Sequence, residues 1–77
     1  MSYYFENSNR YQIVFPYTSD KIYVESNLEK GSYKCYEEIM AKNIKTYLFV
    51  VYDIDNKQMY YYNIPKYKNL QFQIEVV

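Results

Sequence analysis

From Arg10 to Phe15 the chain alternates, with Tyr11, Ile13 and Phe15 on one side and Gln12 and Val14 on the other. That two-residue period is the pattern of a β-strand. Pro16 lacks an N–H and opens the turn-rich segment Pro16-Tyr17-Thr18-Ser19-Asp20, so the strand is expected to stop there. Lys21 to Glu25 restarts the alternation, with Ile22 and Val24 on one side and Tyr23 on the other, and predicts a hairpin with the first strand. Ahead of them, Ser2 to Asn9 reads as a short edge strand or a loose arm, with a turn at Asn7-Ser8-Asn9.

The period then changes to that of a helix. Ser26 is a suitable N-cap, and Glu29 three residues on completes a capping box. Leu28, Ser32, Cys35, Tyr36, Ile39 and Asn43 fall on one stripe, with Met40 at its margin, and Lys30, Lys34, Glu37, Glu38 and Lys42 occupy the opposite face. Glu38 and Lys42 form an i,i+4 pair in the favourable order. Asn43 is suited to the left-handed conformation that ends a helix.

Thr46 to Asp55 is apolar on both sides. Tyr47, Phe49 and Val51 face one way, and Leu48, Val50 and Ile54 the other, as in a central strand covered twice. Asp55-Asn56-Lys57 reads as a tight Asx-type turn, and Gln58 to Ile64 returns as a strand with Tyr60 and Tyr62 on one side and Met59 and Tyr61 on the other. Pro65 ends it. Asn69 to Val77 alternates Leu70, Phe72, Ile74 and Val76 against Gln71, Gln73 and Glu75. The predicted order is β-β-α-β-β-β, an α+β fold: an antiparallel sheet of four to five strands with one helix packed on one face. Leu28, Ile39, Val50, Phe72 and Ile74 are the expected core.

A chain of 77 residues makes one domain. Small folds usually carry reinforcement. Here Cys35 is the sole cysteine and histidine is absent, which removes disulfides and a structural zinc site and leaves regular secondary structure or oligomerisation. A lone cysteine fits a reducing compartment. Met-Ser-Tyr-Tyr-Phe-Glu at the start has neither a basic n-region nor an apolar run, and Tyr47 to Tyr52 is too short an apolar stretch to cross a bilayer. Nine acidic residues balance nine basic ones, so no overall field points to nucleic acid or an anionic membrane. The expectation is a soluble, cytoplasmic protein without membrane contact.

Tyrosine occurs thirteen times, lysine eight, asparagine and isoleucine seven each, but alanine, glycine and arginine once each. Residues with A/T-rich codons dominate, the composition of chains from AT-rich genomes, among them large DNA viruses, phages and low-GC bacteria. Tyrosine number by itself therefore establishes no binding role.

Chemistry is hard to place on this chain. No histidine is present for proton transfer near neutral pH, and one glycine forbids a Gly-rich phosphate loop. Cys35 lies in the apolar stripe of the helix and reads as a buried thiol. Asp53 and Asp55 have the spacing of a divalent-cation pair, but only Asn56 could add oxygen nearby, and turn chemistry accounts for all three. Glu37 and Glu38 beside lysines read as a solvated helix face. No catalytic residue, metal or cofactor is expected.

The expected function is contact. With the helix over Leu48, Val50 and Ile54, the residues Tyr47, Phe49 and Val51 would lie on the open sheet face, joined by Tyr23 and by one tyrosine side of the fourth strand, either Tyr61 or the Tyr60/Tyr62 pair. Tyr23, Tyr47, Phe49, Val51 and Tyr61 are the candidate interface for a protein partner or a second copy of the chain. A second reading uses the same aromatics to stack single-stranded nucleic acid, with Lys66-Tyr67-Lys68 on the phosphates; the neutral charge weighs against it. The C-terminal strand offers a sheet edge for strand pairing.

The helix ending in Tyr36-Glu37-Glu38-Ile39, the strand Tyr47 to Asp53, the Asp55-Asn56-Lys57 turn and Met59-Tyr60-Tyr61-Tyr62-Asn63-Ile64-Pro65 together resemble small β-β-α-β-β type proteins of large nucleocytoplasmic DNA viruses. The resemblance covers about half the chain, Asn27 to Pro65. It implies a minor virion or capsid-associated component, or a host-directed accessory protein, and carries no active site with it. A phage inhibitor of a bacterial defence system would share the size and composition.

Overall fold

The computed structural model describes residues 8–64 and the backbone of residues 75–76. Strands β1 (Asn9–Phe15) and β2 (Tyr23–Glu25) precede the helix α1 (Leu28–Ala41), and β3 (Leu48–Asp53), β4 (Gln58–Asn63) and β5 (Glu75–Val76) follow it. All pairings are antiparallel, and the strand order is β2-β1-β3-β4-β5. The first four strands form an open sheet with α1 on one face, and the two-residue β5 extends it at the β4 edge. The fold is α+β, with β3 in the middle of the sheet as its two-sided apolar pattern implies. The arm at residues 1–7, the Lys66-Tyr67-Lys68 segment and the core positions Phe72 and Ile74 lie outside the described residues.

Register decides which residues the helix covers. Tyr11 stands opposite Asp53 and Ile13 opposite Val51, while Phe49 stands opposite Tyr62 and Val51 opposite Tyr60. Directly paired residues point to the same side of a sheet. Tyr11, Ile13, Phe49, Val51 and Tyr62 therefore share one face, and they pack with Cys35 and Ile39 of α1 into the core. Phe49 is stacked on Tyr62 (5.3 Å between ring centroids) and tilted against Tyr36 (6.1 Å).

This reverses the two faces of β3 relative to the sequence expectation. Phe49 and Val51 are completely buried beneath the helix, whereas Leu48 and Val50 lie on the opposite face. A strand apolar on both sides satisfies either assignment, and the larger Phe49 ring takes the side where Tyr36 and Tyr62 complete its packing. A second departure lies in β1. The pairing slips between Ile13 and Phe15, which places Phe15 opposite Val50. This bulge absorbs one residue and turns Phe15 away from the face that holds Tyr11 and Ile13.

The helix begins one residue later than the capping-box pattern implies. Asn27 is the N-cap, in extended backbone, and its Oδ1 accepts from the Lys30 amide at 2.9 Å. At the other end Asn43 has a left-handed φ of 56°, as its residue type suggests. The buried side of α1 consists of Gly31, Ser32, Cys35, Glu38 and Ile39, so the stripe is rotated towards Gly31 and Glu38, and Met40 is exposed. Ser32 donates to the Tyr62 hydroxyl at 2.8 Å in the interior, which ties helix to sheet.

Among the described residues no helix is long and apolar enough to cross a membrane.

Candidate functional site

Two features stand out: the sheet face turned away from the helix, and a buried carboxylate on the helix side.

The open face is set by the registers above. One row across the sheet is Phe15, Val50 and Tyr61, and a second is Gln12, Tyr52 and Met59. Beside them Val24 of β2 stands opposite Arg10. Phe15, Val24, Met59 and Tyr61 are each 45–52% exposed, while Val50 at the centre of the first row is 5% exposed. The result is a partly wet apolar surface around a buried valine, contributed by four strands.

Of the five residues expected at an interface, Tyr61 lies on this face. Tyr47 is 67% exposed just before β3, and its carbonyl accepts from the Ile64 amide at 2.7 Å. Tyr23 pairs with Tyr11 on the helix side and spends its hydroxyl on Glu38. Phe49 and Val51 are core residues with no surface to offer. Sequence reasoning missed Phe15, Val24 and Met59. Val24 and Met59 were legible as the apolar members of their alternations, but Phe15 required the bulge.

The buried carboxylate belongs to Glu38, which was expected in solvent. Its side chain is 5% exposed. Tyr17 donates to Oε2 at 2.5 Å and Tyr23 to Oε1 at 2.7 Å. The Ser19 hydroxyl lies 2.8 Å from Oε2 and 3.1 Å from Oε1. Lys42 completes the group with its Nζ 3.6 Å from Oε2 and 4.9 Å from the centre of the Tyr17 ring.

Ser19 is itself fixed on every side. Its amide donates to the Ile13 carbonyl, its carbonyl accepts from the Gln12 side chain, and its Oγ accepts from the Lys21 amide. An ionised carboxylate only accepts, so three hydroxyl donors and a lysine match it well. Burial on its own would raise the Glu38 pKa; the hydrogen bonds from Tyr17, Tyr23 and Ser19, with Lys42, outweigh it and hold the group below the ordinary carboxylate range. Burial, reinforced by these bonds to a negative acceptor, pushes both tyrosines above the ordinary phenol range. Burial likewise raises the Cys35 thiol to about 12, with the charge of Glu38 adding to the effect. A thiol held that high is a poor nucleophile.

Asp53 and Asp55 do not converge. Asp53 is buried and accepts from the Asn9 side chain and from the amide and side chain of Asn56, which closes the β3–β4 turn. Asp55 accepts from the Arg10 amide and from two guanidinium nitrogens of Arg10. The Arg10 hydrogen bonds hold the Asp55 carboxyl below the ordinary range. Both acids serve turn and strand geometry, and among the described residues no group of acidic, cysteine or histidine side chains is arranged to hold a metal ion.

No known family model, curated protein or solved structure matches this chain.

Proposed function

We propose that the protein is a non-enzymatic protein–protein interaction module that works through the open face of its sheet, in the first instance by meeting a second copy of itself. The observation that carries the reading is the cross-strand row in which half-exposed Phe15 and Tyr61 flank buried Val50, with half-exposed Met59 and Val24 beside it, on the sheet face turned away from α1. Contiguous apolar patches on small domains usually mark contact sites. Tyr61 and Phe15 belong to the residue types enriched at the centre of interfaces, where a large ring adds area at low rotamer cost. A small domain whose single cysteine rules out an internal disulfide also gains stability from association.

The setting consistent with this reading is the one implied by the viral resemblance: a minor virion or capsid-associated component, or a host-directed accessory protein of a virus or phage, acting in the host cytoplasm. Single-stranded nucleic acid is the competing ligand for an aromatic sheet face. The sole arginine is engaged with Asp55, which leaves that reading without a guanidinium free to take a phosphate from this face.

Sedimentation over a concentration series, run beside a titration with single-stranded oligonucleotides at low and high salt, tests the proposal. Self-association without oligonucleotide binding supports it. A strict monomer at every concentration, or oligonucleotide affinity that falls steeply with salt, overturns it.

A further inference from the structure

The segment 16–22 that joins β1 to β2 runs over the helix side of the molecule, and its polar contacts with α1 converge on one residue. Tyr17 and Ser19 from the segment, and Tyr23 from the first position of β2, all donate to Glu38. The segment and β2 both help to close the core, since the Tyr17 and Tyr23 rings pack against it. Cys35, one turn before Glu38, is completely buried and lies near enough to Tyr17, Tyr23 and Glu38 to feel each electrostatically.

We infer that Glu38 is an acid-released latch: its ionised carboxylate holds segment 16–22 and the edge strand β2 closed over the helix, and protonation of that carboxylate lets them open. The chemistry is a matter of matching donors to acceptors. The ionised group accepts from three hydroxyls at once, whereas the protonated group carries a donor of its own and loses its charge. At least one hydroxyl must then stop donating, either reversing to accept the carboxyl proton or losing its bond, and Lys42 loses its counter-charge.

The groups facing Glu38 are Tyr17 from the segment, Tyr23 from β2, and Cys35 and Lys42 from the helix and its C-cap; Asp20 acts on Tyr17 from the outside. The tyrosines and the thiol are neutral and gain no charge as the pH falls, so among the groups joined at the latch by hydrogen bond or ion pair Glu38 is the one that takes up a proton; Asp20, also a carboxylate, acts from outside through Tyr17. Its folded value lies below the ordinary 4.5. The latch is therefore fully set above 4.5 and opens as the pH falls through the lower folded value. The inference stands whether or not the open sheet face binds a partner.

Cys35 is a native reporter of opening. Its labelling by a dithiodipyridine, which modifies thiols at acid as well as neutral pH, can be followed from pH 7 to pH 3 beside far-UV circular dichroism. The expected result is a labelling rate, after correction for the intrinsic reactivity of a free thiol, that rises about tenfold or more below pH 4.5 while the helical signal persists. Glu38→Gln should label fast at neutral pH and show no acid step. Tyr17→Phe removes one donor, keeps the ring, and should move the step to higher pH. A rate that does not change with pH, an unchanged acid step in Glu38→Gln, or labelling that rises only as the helical signal is lost would each overturn the latch.

Discussion

Gly31 of the helix and Tyr11 of β1 are in such close contact that a Cβ on Gly31 would lie 2.3 Å from Cδ2 of the Tyr11 ring. The single glycine of the chain is thus a packing residue, and it sets how near the helix comes to the sheet. Tyr11 is 2% exposed and packed in the core with Ile13, Cys35 and Ile39. Gly31→Ala gains about 1 kcal/mol in helix propensity but must overpack the core at a cost of about 1–3 kcal/mol. The clash is with the root of the ring, so the cost wins. Thermal unfolding should show a Tm lowered by several degrees, and an unchanged or higher Tm would mean that helix and sheet can separate freely.

Phe49 supplies the second prediction. A residue enclosed by Tyr36 and Tyr62 with no exposed surface belongs to the core. Phe49→Ala should cost about 3–5 kcal/mol, and Phe49→Asp should abolish the cooperative melt, because a charge cannot be solvated there. A folded Phe49→Asp protein would restore the opposite assignment of faces.

These two residues also mark how far the sequence could be read. The helix, the first four strands and the central place of β3 follow from period and punctuation, since Tyr11 and Ile13 alternate cleanly and Asn43 marks the helix end. Of the strand expected over 69–77, only residues 75–76 lie within the described residues. The side of β3 that meets the helix does not follow, because Phe49/Val51 and Leu48/Val50 are equally apolar and only the register against β1 and β4 separates them. The bulge that turns Phe15 outward is a one-residue slip with no composition signal. Glu38 was hidden for a different reason. A glutamate among lysines looks solvated, and the three hydroxyls that make its burial possible come from residues 15–21 positions earlier in the chain. One hint was present: Glu38 lies seven residues after Gly31, two helical turns along the same flank.

A third prediction concerns stability against pH. Glu38 has a folded pKa below its unfolded value, so its contribution is complete above 4.5 and is lost as the pH falls through the folded value. Asp55 acts in the same sense through Arg10. Denaturant unfolding should therefore show stability declining on acidification, and Glu38→Gln should flatten the decline while costing about 2–4 kcal/mol at neutral pH. An acid slope identical in the two proteins would remove Glu38 from the account.

The interior hydrogen bond between Ser32 and Tyr62 supplies a fourth. Tyr62→Phe keeps the ring stacked on Phe49 but leaves the Ser32 hydroxyl without its acceptor in a buried site. The cost should be about 1–2 kcal/mol, and Ser32→Ala in the same background should recover part of it. Additive losses from the two substitutions would show that the pair is not coupled.

Light scattering on two charge substitutions tests most directly whether the sheet face turned away from α1 is the contact surface. Tyr61→Asp places a carboxylate in the row with Phe15 and Val50, whereas Lys34→Asp places one on the exposed outer side of the helix. With circular dichroism confirming that both variants fold, the account predicts that the wild type and Lys34→Asp share one oligomeric mass and that Tyr61→Asp falls to the monomer. A Tyr61→Asp protein that keeps the wild-type oligomeric mass, or a wild type that is already monomeric, would contradict it.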